Sequence, residues 1–519
     1  MPKLEGQDPT AGSPLQDEFA IPPPGVDAPH RTLARDAANA LWWKGLQLGG
    51  VKGIFLVRTL ALAALLSPDD FGLLAMATVA VGVLMTVSEL GMTPALVQQP
   101  HLEEAHYNAA WTVNVIRAAG VAAVLLAGAP VIAALFSDPR VTDILRVLAL
   151  KPLIDASASP KTADLMRRLA YRRLAAISLS AAAVDTIVSL LLASRLGVWS
   201  LVAGVLAGAL AGAVTSYAVA AHRPRVAIAS DAVLPLVRYG RWLLLAGIVS
   251  VSASSLTQVV ISRELGAVEL GLYFLAAKLG LLPYEVLNKV VSDVAFAVYA
   301  RLQAERARLV RAFQSILVAT AAIGVPAYVL IISLAPWLVA DVLGPRWEGT
   351  EGPIRVLALA GIAGLFGDVT EPLFRGLGRP KWVLAVELLQ SSLTIVLLWP
   401  LTHRYGLIGA ALAGLFGVSL SQLLSLLFAT RVLGAPVRRS MVPISIIVLS
   451  ALLGAATVPL VQRLASGTFG LVCATVIATT TMIAVLWGAE SRFDVGLRRD
   501  LAYAFPQIAG LVGMRSAAP

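Results

Sequence analysis

Long apolar stretches alternate with short polar ones along the chain, and the stretches run for about twenty residues or more, without the two-residue alternation of a membrane strand. They lie near 38–62, 71–97, 111–136, 142–163, 174–194 and 198–221, then near 239–262, 268–297, 312–340, 353–374, 382–402 and 406–430, and last near 442–462 and 468–488. The pattern predicts an all-α polytopic membrane protein of about 14 transmembrane helices, in two pseudo-symmetric six-helix lobes plus two C-terminal helices. Residues 1–37, with the Pro22–Pro24 run, read as a disordered cytoplasmic tail without a signal peptide. The N-lobe is expected over 38–221, a cytoplasmic linker over 222–238, the C-lobe over 239–432, the last two spans over 433–490 and a cytoplasmic tail over 491–519.

Composition excludes a water-soluble globule: of 519 residues 58% are hydrophobic and 14% charged, with mean hydropathy +0.79. The net charge of +10 is explained by where the cations fall. Loops on the side of both termini hold 19 Lys and Arg and the opposite loops 7. This places both termini in the cytoplasm and the protein in the cytoplasmic membrane as a multi-pass chain, with no nucleic-acid partner. The loop at Glu103 and Glu104 is the acidic exception on that side. One cysteine, Cys473, forms no intramolecular disulfide and no thiolate metal site. There is no GxxxxGK[ST], HExxH or GxSxG motif, and five histidines show no ligand spacing, so no cofactor, no metal and no enzymatic activity are expected.

The chain repeats itself. Leu145–Leu150 (Leu-Arg-Val-Leu-Ala-Leu) recurs 209 residues later as Ile354–Leu359, and the same offset relates Arg195 and Gly197 to Arg404 and Gly406. Phe71-Gly72-Leu73 matches Leu270-Gly271-Leu272 at an offset of 199. Six spans is an even number, so the repeats enter the membrane from the same side. Two such lobes are a common transporter plan, with substrate held between them.

Leu66–Met76 (Leu-Ser-Pro-Asp-Asp-Phe-Gly-Leu-Leu-Ala-Met), Ser88–Met92, Gln98-Gln99, Tyr107-Asn108 with Trp111 and Asn114, and the Leu343–Trp347 turn together resemble the polysaccharide transporter branch of the multidrug, oligosaccharidyl-lipid and polysaccharide exporter superfamily. The resemblance covers roughly residues 38–488. It implies an oligosaccharide flippase that moves polyprenyl-diphosphate-linked sugar units, or a related exopolysaccharide precursor, by alternating access. Membrane lipids and the polysaccharide polymerase or export machinery are the implied partners, and a monomer is expected.

A charge near the bilayer centre costs about 2.5–3.5 kcal/mol on insertion scales and needs a reason. In the first span Lys44, Lys52 and Arg58 fall in one sector of about 120°, spread over about 21 Å of height, with Gln47 at its border. Gly45, Gly49 and Gly53 form a smooth strip beside it. Read functionally, the basic wall lines a central cavity and neutralises a diphosphate. Read blandly, Lys44 and Arg58 snorkel to the two interfaces. The functional reading requires the three to face a water-accessible interior, free of carboxylate partners.

Arg117, near Asn114, is a fourth candidate cation. On the eighth span Lys278, Glu285, Lys289 and Asp293 make one polar stripe, bent at Pro283. Pairs four residues apart can form along it, and Lys278, seven residues from its nearest stripe carboxylate, is expected to line the cavity.

Coupling to H+ or Na+ is expected at a membrane carboxylate, with Glu89, Asp185, Asp368, Glu371 and Glu387 as candidates. Asp155 and Glu371 also have bland partners one turn away, in Lys151 and Arg375. Trp42 and Trp43 at one edge, and Trp337 and Trp347 at the other, read as interfacial anchors. The alternatives are a cation-coupled multidrug exporter of the same superfamily, whose cavity should be acidic or aromatic, and a membrane enzyme, which would need a larger outer loop than the stretch near 341–352.

Overall fold

The computed structural model describes residues 30–88, 104–168, 170–222, 224–226, 234–434, 438–465 and 467–493. The expected N-terminal tail, apart from residues 30–37, most of the C-terminal tail and much of the linker lie outside the described residues. Helix α1 (His30–Leu65) already includes residues 30–37, which the apolar pattern leaves in the tail. Helix α2 (Pro68–Val87) opens on a capping box. Ser67 Oγ accepts from the Asp70 N–H, and the Asp70 carboxylate accepts from the Ser67 N–H.

Helix α3 (Glu104–Phe136) is followed by α4 (Val141–Leu148), α5 (Leu150–Ala156) and α6 (Thr162–Arg167), then by α7 (Tyr171–Leu196) and α8 (Val198–Val219). The expected continuous span over 142–163 is therefore corrected to three short helices. Pro152 and Pro160 lack N–H donors, and the break turns Ser159 onto the end of α8. There its N–H donates to Ser216 Oγ at 2.8 Å and its Oγ to the Ala220 carbonyl at 2.6 Å.

The second half contains α9 (Leu234–Leu265), α10 (Ala267–Gly280), α11 (Leu282–Leu302) and α12 (Arg306–Trp337). A π turn and a 3-10 turn lead on to α13 (Glu351–Gly364) and α14 (Gly367–Gly376), followed by α15 (Pro380–Leu433), α16 (Arg438–Gln462) and α17 (Gly467–Phe493). α10 and α11 meet at an angle of 46°, with Pro283 in the first turn of α11, where the sequence places a bend.

At about 1.5 Å per residue α15 would span the membrane more than twice, and it reverses at Gly406. Gly406 has φ 59° and ψ −137°; its repeat partner Gly197, between α7 and α8, has φ 53° and ψ −129°. Only glycine holds that conformation without strain. The hairpins also close alike: a Cβ on Gly208 would lie 2.8 Å from the Ala181 carbonyl oxygen, and one on Gly417 2.9 Å from that of Gln390. Both pairs keep the 209-residue offset, so the repeat is one of structure as well as sequence.

Among the described residues eleven helices are long and apolar enough to cross a membrane, or twelve with α10 and α11 taken as one span. Among the described residues α15 makes two passes and the fourth expected span is in pieces, so the fold is as expected while the count of fourteen is not confirmed.

The lobes meet where α2 crosses α10. A Cβ on Gly72 would lie 1.9 Å from the Ala267 oxygen, and one on Gly271 1.8 Å from the Pro68 oxygen, so this contact tolerates no side chain on either helix. Trp347 seals it. The indole is fully buried, donates to the Ala63 carbonyl at 2.8 Å and meets Phe71 edge-on at 5.2 Å. Trp347 is thus a wedge between the lobes and not an interfacial anchor. Trp337 is likewise buried, its Nε1 donating to Asp341 at 2.7 Å.

Candidate functional site

From the sealed end, α1 and α11 run toward the opposite end and carry the charged stripes that face one another across the lobes. Lys52 of α1 pairs with Glu285 of α11. The other oxygen of Glu285 lies 3.5 Å from Lys278 of α10, so one carboxylate holds an ammonium group from each lobe. Two turns along both helices Lys44 pairs with Asp293 at 3.2 Å, and Asp293 also receives Lys289 at 3.5 Å. All six side chains are partly exposed, between 29% and 62%.

The expectation of a basic wall free of carboxylates is therefore corrected. Lys44, Lys52 and Arg58 each have an acidic partner. Lys278 is corrected as well: the bend at Leu281 brings Glu285, seven residues on, back to it.

Arg58 differs in kind from the two lysines. Its guanidinium is 11% exposed, lies 2.9 Å from Asp185 on α7 and donates to Ser189 Oγ at 3.1 Å; its Nε is buried without a partner. Both members belong to the N-lobe, so this pair is internal to it. Gln47 is bound within the same lobe, to Ser178 Oγ at 2.7 Å. Arg117 binds the Asn114 side chain twice, at 2.9 and 3.2 Å, and Ser88 Oγ at 3.0 Å, without joining the stripe.

Glu89 lies outside the described residues. Asp185 is taken by Arg58, and Glu371 has Arg375 at 3.6 Å. Asp155 has Lys151 at 2.5 Å. The partners of the other two candidates are neutral. Asp368, 2% exposed in the first turn of α14 just after a helix break, accepts from Asn288 Nδ2 at 2.5 Å, while its Oδ2 is buried without a protein partner among the described residues. Glu387 accepts from Ser391 at 3.2 Å. No group of three or more His, Cys, Asp or Glu among the described residues converges as a metal site.

Sequence reasoning found the two stripes but missed that they face each other. Glu285 and Asp293 were read as partners for Lys289 on their own helix. The signal was present in the matched eight-residue spacings, Lys44 to Lys52 and Glu285 to Asp293, of opposite charge.

A family model described as polysaccharide biosynthesis protein matches residues 61–351. The chain is similar to the succinoglycan biosynthesis transport protein ExoT of Rhizobium meliloti (strain 1021), 26% identical over 63% of this chain and 66% of that protein, just under two thirds of its length. It is also similar to the lipopolysaccharide biosynthesis protein WzxC of Escherichia coli (strain K12), 23% identical over 76% of this chain and 79% of that one. Among solved structures it shares the fold of the lipid II flippase MurJ in an inward closed conformation, with TM-score 0.70 and 14% identity over 87% of this chain and 99% of that one. An inward-facing multidrug resistance MATE family transporter of the MOP superfamily matches with TM-score 0.63 and 14% identity, over 74% and 94% of the two chains.

Proposed function

The chain belongs to the polysaccharide biosynthesis protein family, and on that premise we propose that it is a flippase for polyprenyl-diphosphate-linked oligosaccharide, or a related exopolysaccharide precursor, working by alternating access of its two lobes. The observation that carries the reading is that Lys44 and Lys52 of one lobe and Lys278 of the other stand together between the lobes. Multidrug transporters share the fold, so charge and not architecture decides the substrate class. Three ammonium groups suit a diphosphate and repel an organic cation.

Their carboxylate partners do not cancel this. Two of the bonds, Lys44–Asp293 and Lys52–Glu285, cross from lobe to lobe between partly exposed groups, so relative motion of the lobes or an entering anion releases them; Arg58–Asp185 has neither freedom.

With both termini in the cytoplasm, as the Lys and Arg distribution predicts, the Trp347 seal closes the outer side and the stripes lie toward the inner one. Coupling to H+ or Na+ is assigned to Asp368, whose free buried oxygen sits beside a helix break. The test is Lys52→Ala with Lys278→Ala. Polysaccharide export is lost while the protein still reaches the membrane, and normal export from that variant refutes the reading.

A further inference from the structure

Glu285 and Asp293 each bridge a lysine of the N-lobe and a lysine of the C-lobe, but Glu285 draws both of its cations from other helices, whereas Asp293 has Lys289 of its own helix. One oxygen of Glu285 meets Lys52 of the N-lobe and the other Lys278 of the C-lobe, so the side chain occupies the point between lobes where two cations converge. We propose that Glu285 is the internal counter-ion of the empty carrier: it holds the two lysines, and through them the two lobes, in place of the diphosphate, which enters by exchanging with it. The inference rests on the substrate reading above and adds to it the residue that sets the selectivity and reports occupancy.

Charge supports the exchange. Lys52, Lys278 and Glu285 together carry one net positive charge, so Glu285 alone does not neutralise the two lysines. A diphosphate diester brings two negative charges and offers each ammonium its own phosphoryl group. A monophosphate diester brings one, no more than Glu285 already supplies, and gains little by displacing it.

The displaced carboxylate also has somewhere to go. Lys289 lies four residues further along α11, on the same face, and at present leans on Asp293. When Asp293 loses Lys44 on separation of the lobes, Lys289 serves both acids of its own helix. The pairing along the helix that the sequence suggests is thus the arrangement of the occupied carrier, and the pairing across the lobes that of the empty one.

The setting favours exchange over permanence. The Lys52 and Glu285 side chains are 33% and 30% exposed, so the bond is weakened by solvent and can open, whereas Arg58 and Asp185, at 11% and 8%, are locked.

The test uses full-length protein in lipid nanodiscs, with a sugar linked to farnesyl diphosphate and the same sugar linked to farnesyl monophosphate as probes, so that both are diesters. Glu285→Gln keeps the shape of the side chain and removes its charge. Its affinity for the diphosphate-linked sugar is expected to rise about tenfold, with a smaller change for the monophosphate-linked one. Without ligand, the spin-label distance between exposed positions on α1 and α11 broadens in Glu285→Gln relative to wild type. The double exchange Lys52→Glu with Glu285→Lys restores the narrow distance but not diphosphate binding.

Unchanged or weaker diphosphate binding by Glu285→Gln, together with an unchanged distance, overturns the proposal and leaves a structural ion pair. A broadened distance with no diphosphate binding by wild type or variant keeps the lock but removes the substrate reading and, with it, the exchange.

Discussion

At Gly197 and at Gly406 the two lobes fold the same hairpin, with ψ −129° and −137°, yet the charged residues on that shared backbone do not repeat. Where the N-lobe buries Asp185 against Arg58, the C-lobe has Thr394 at the repeat-equivalent position. Where the C-lobe has Asp368 and Glu387, the N-lobe has Ser159 and Ser178. Two cations of the stripe, Lys44 and Lys52, come from α1, and the carboxylates that answer them come from α11. Duplication supplied the scaffold, and divergence of charge left the inter-lobe stripe with cations from both halves and with carboxylates from the second half alone.

The comparison breaks most severely at the buried pair. Asp185→Ala leaves Arg58 charged and without its acidic partner and should cost about 3–5 kcal/mol, whereas Thr394→Val at the matching place should cost about 1 kcal/mol; thermal unfolding of the purified variants measures both. Similar losses at the two positions would mean that the lobes are not divided as described.

Next comes the stripe. Lys44→Ala with Lys52→Ala should lower polysaccharide export about 100-fold at unchanged membrane abundance, and Lys278→Ala about tenfold, since each lost charge-assisted contact to phosphate is worth about 1.5–3 kcal/mol. Equal effects from single changes in the two lobes would shift the balance of binding toward the C-lobe.

Gly208→Ala and Gly417→Ala test what the lobes share and not what divides them. Both place a methyl group within 2.9 Å of backbone or side chain in a hairpin, and each should cost about 1–3 kcal/mol of stability, by the same assay. The smallest effect is expected at Asp368→Asn. Export should fall only a few-fold but lose its response to an imposed proton or sodium gradient, and a retained response would place coupling elsewhere.

Most of the scaffold was legible in the chain. Apolar runs gave the membrane helices, Gly197 and Gly406 gave the repeat, and Pro283 gave the bend, because bilayer thickness, backbone sterics and a missing N–H act locally. The pieces of 142–163 were hidden because hydropathy averages over the turn at Ser157–Thr162, where Ser159 is held by groups at the end of α8.

The site was half legible. The angular position of Lys44 and Lys52 followed from helix geometry, but their partners lie 249 and 233 residues away, and no spacing rule reaches that far. The acidic exception at Glu104 has the same origin: it meets Lys161, on a loop far along the chain. Trp347 was misread for the opposite reason, since a tryptophan near a span end signals an interface unless a second lobe covers it.

Reconstituted protein in proteoliposomes, assayed for flipping of a fluorescent polyprenyl-diphosphate-linked sugar beside the same sugar on a polyprenyl monophosphate, tests most directly whether cations from two lobes carry a diphosphate. The diphosphate lipid should move at least about tenfold faster, and the difference should vanish in Lys52→Ala with Lys278→Ala. Equal movement of both lipids by wild type, or undiminished movement of the diphosphate lipid by that variant, would contradict the account.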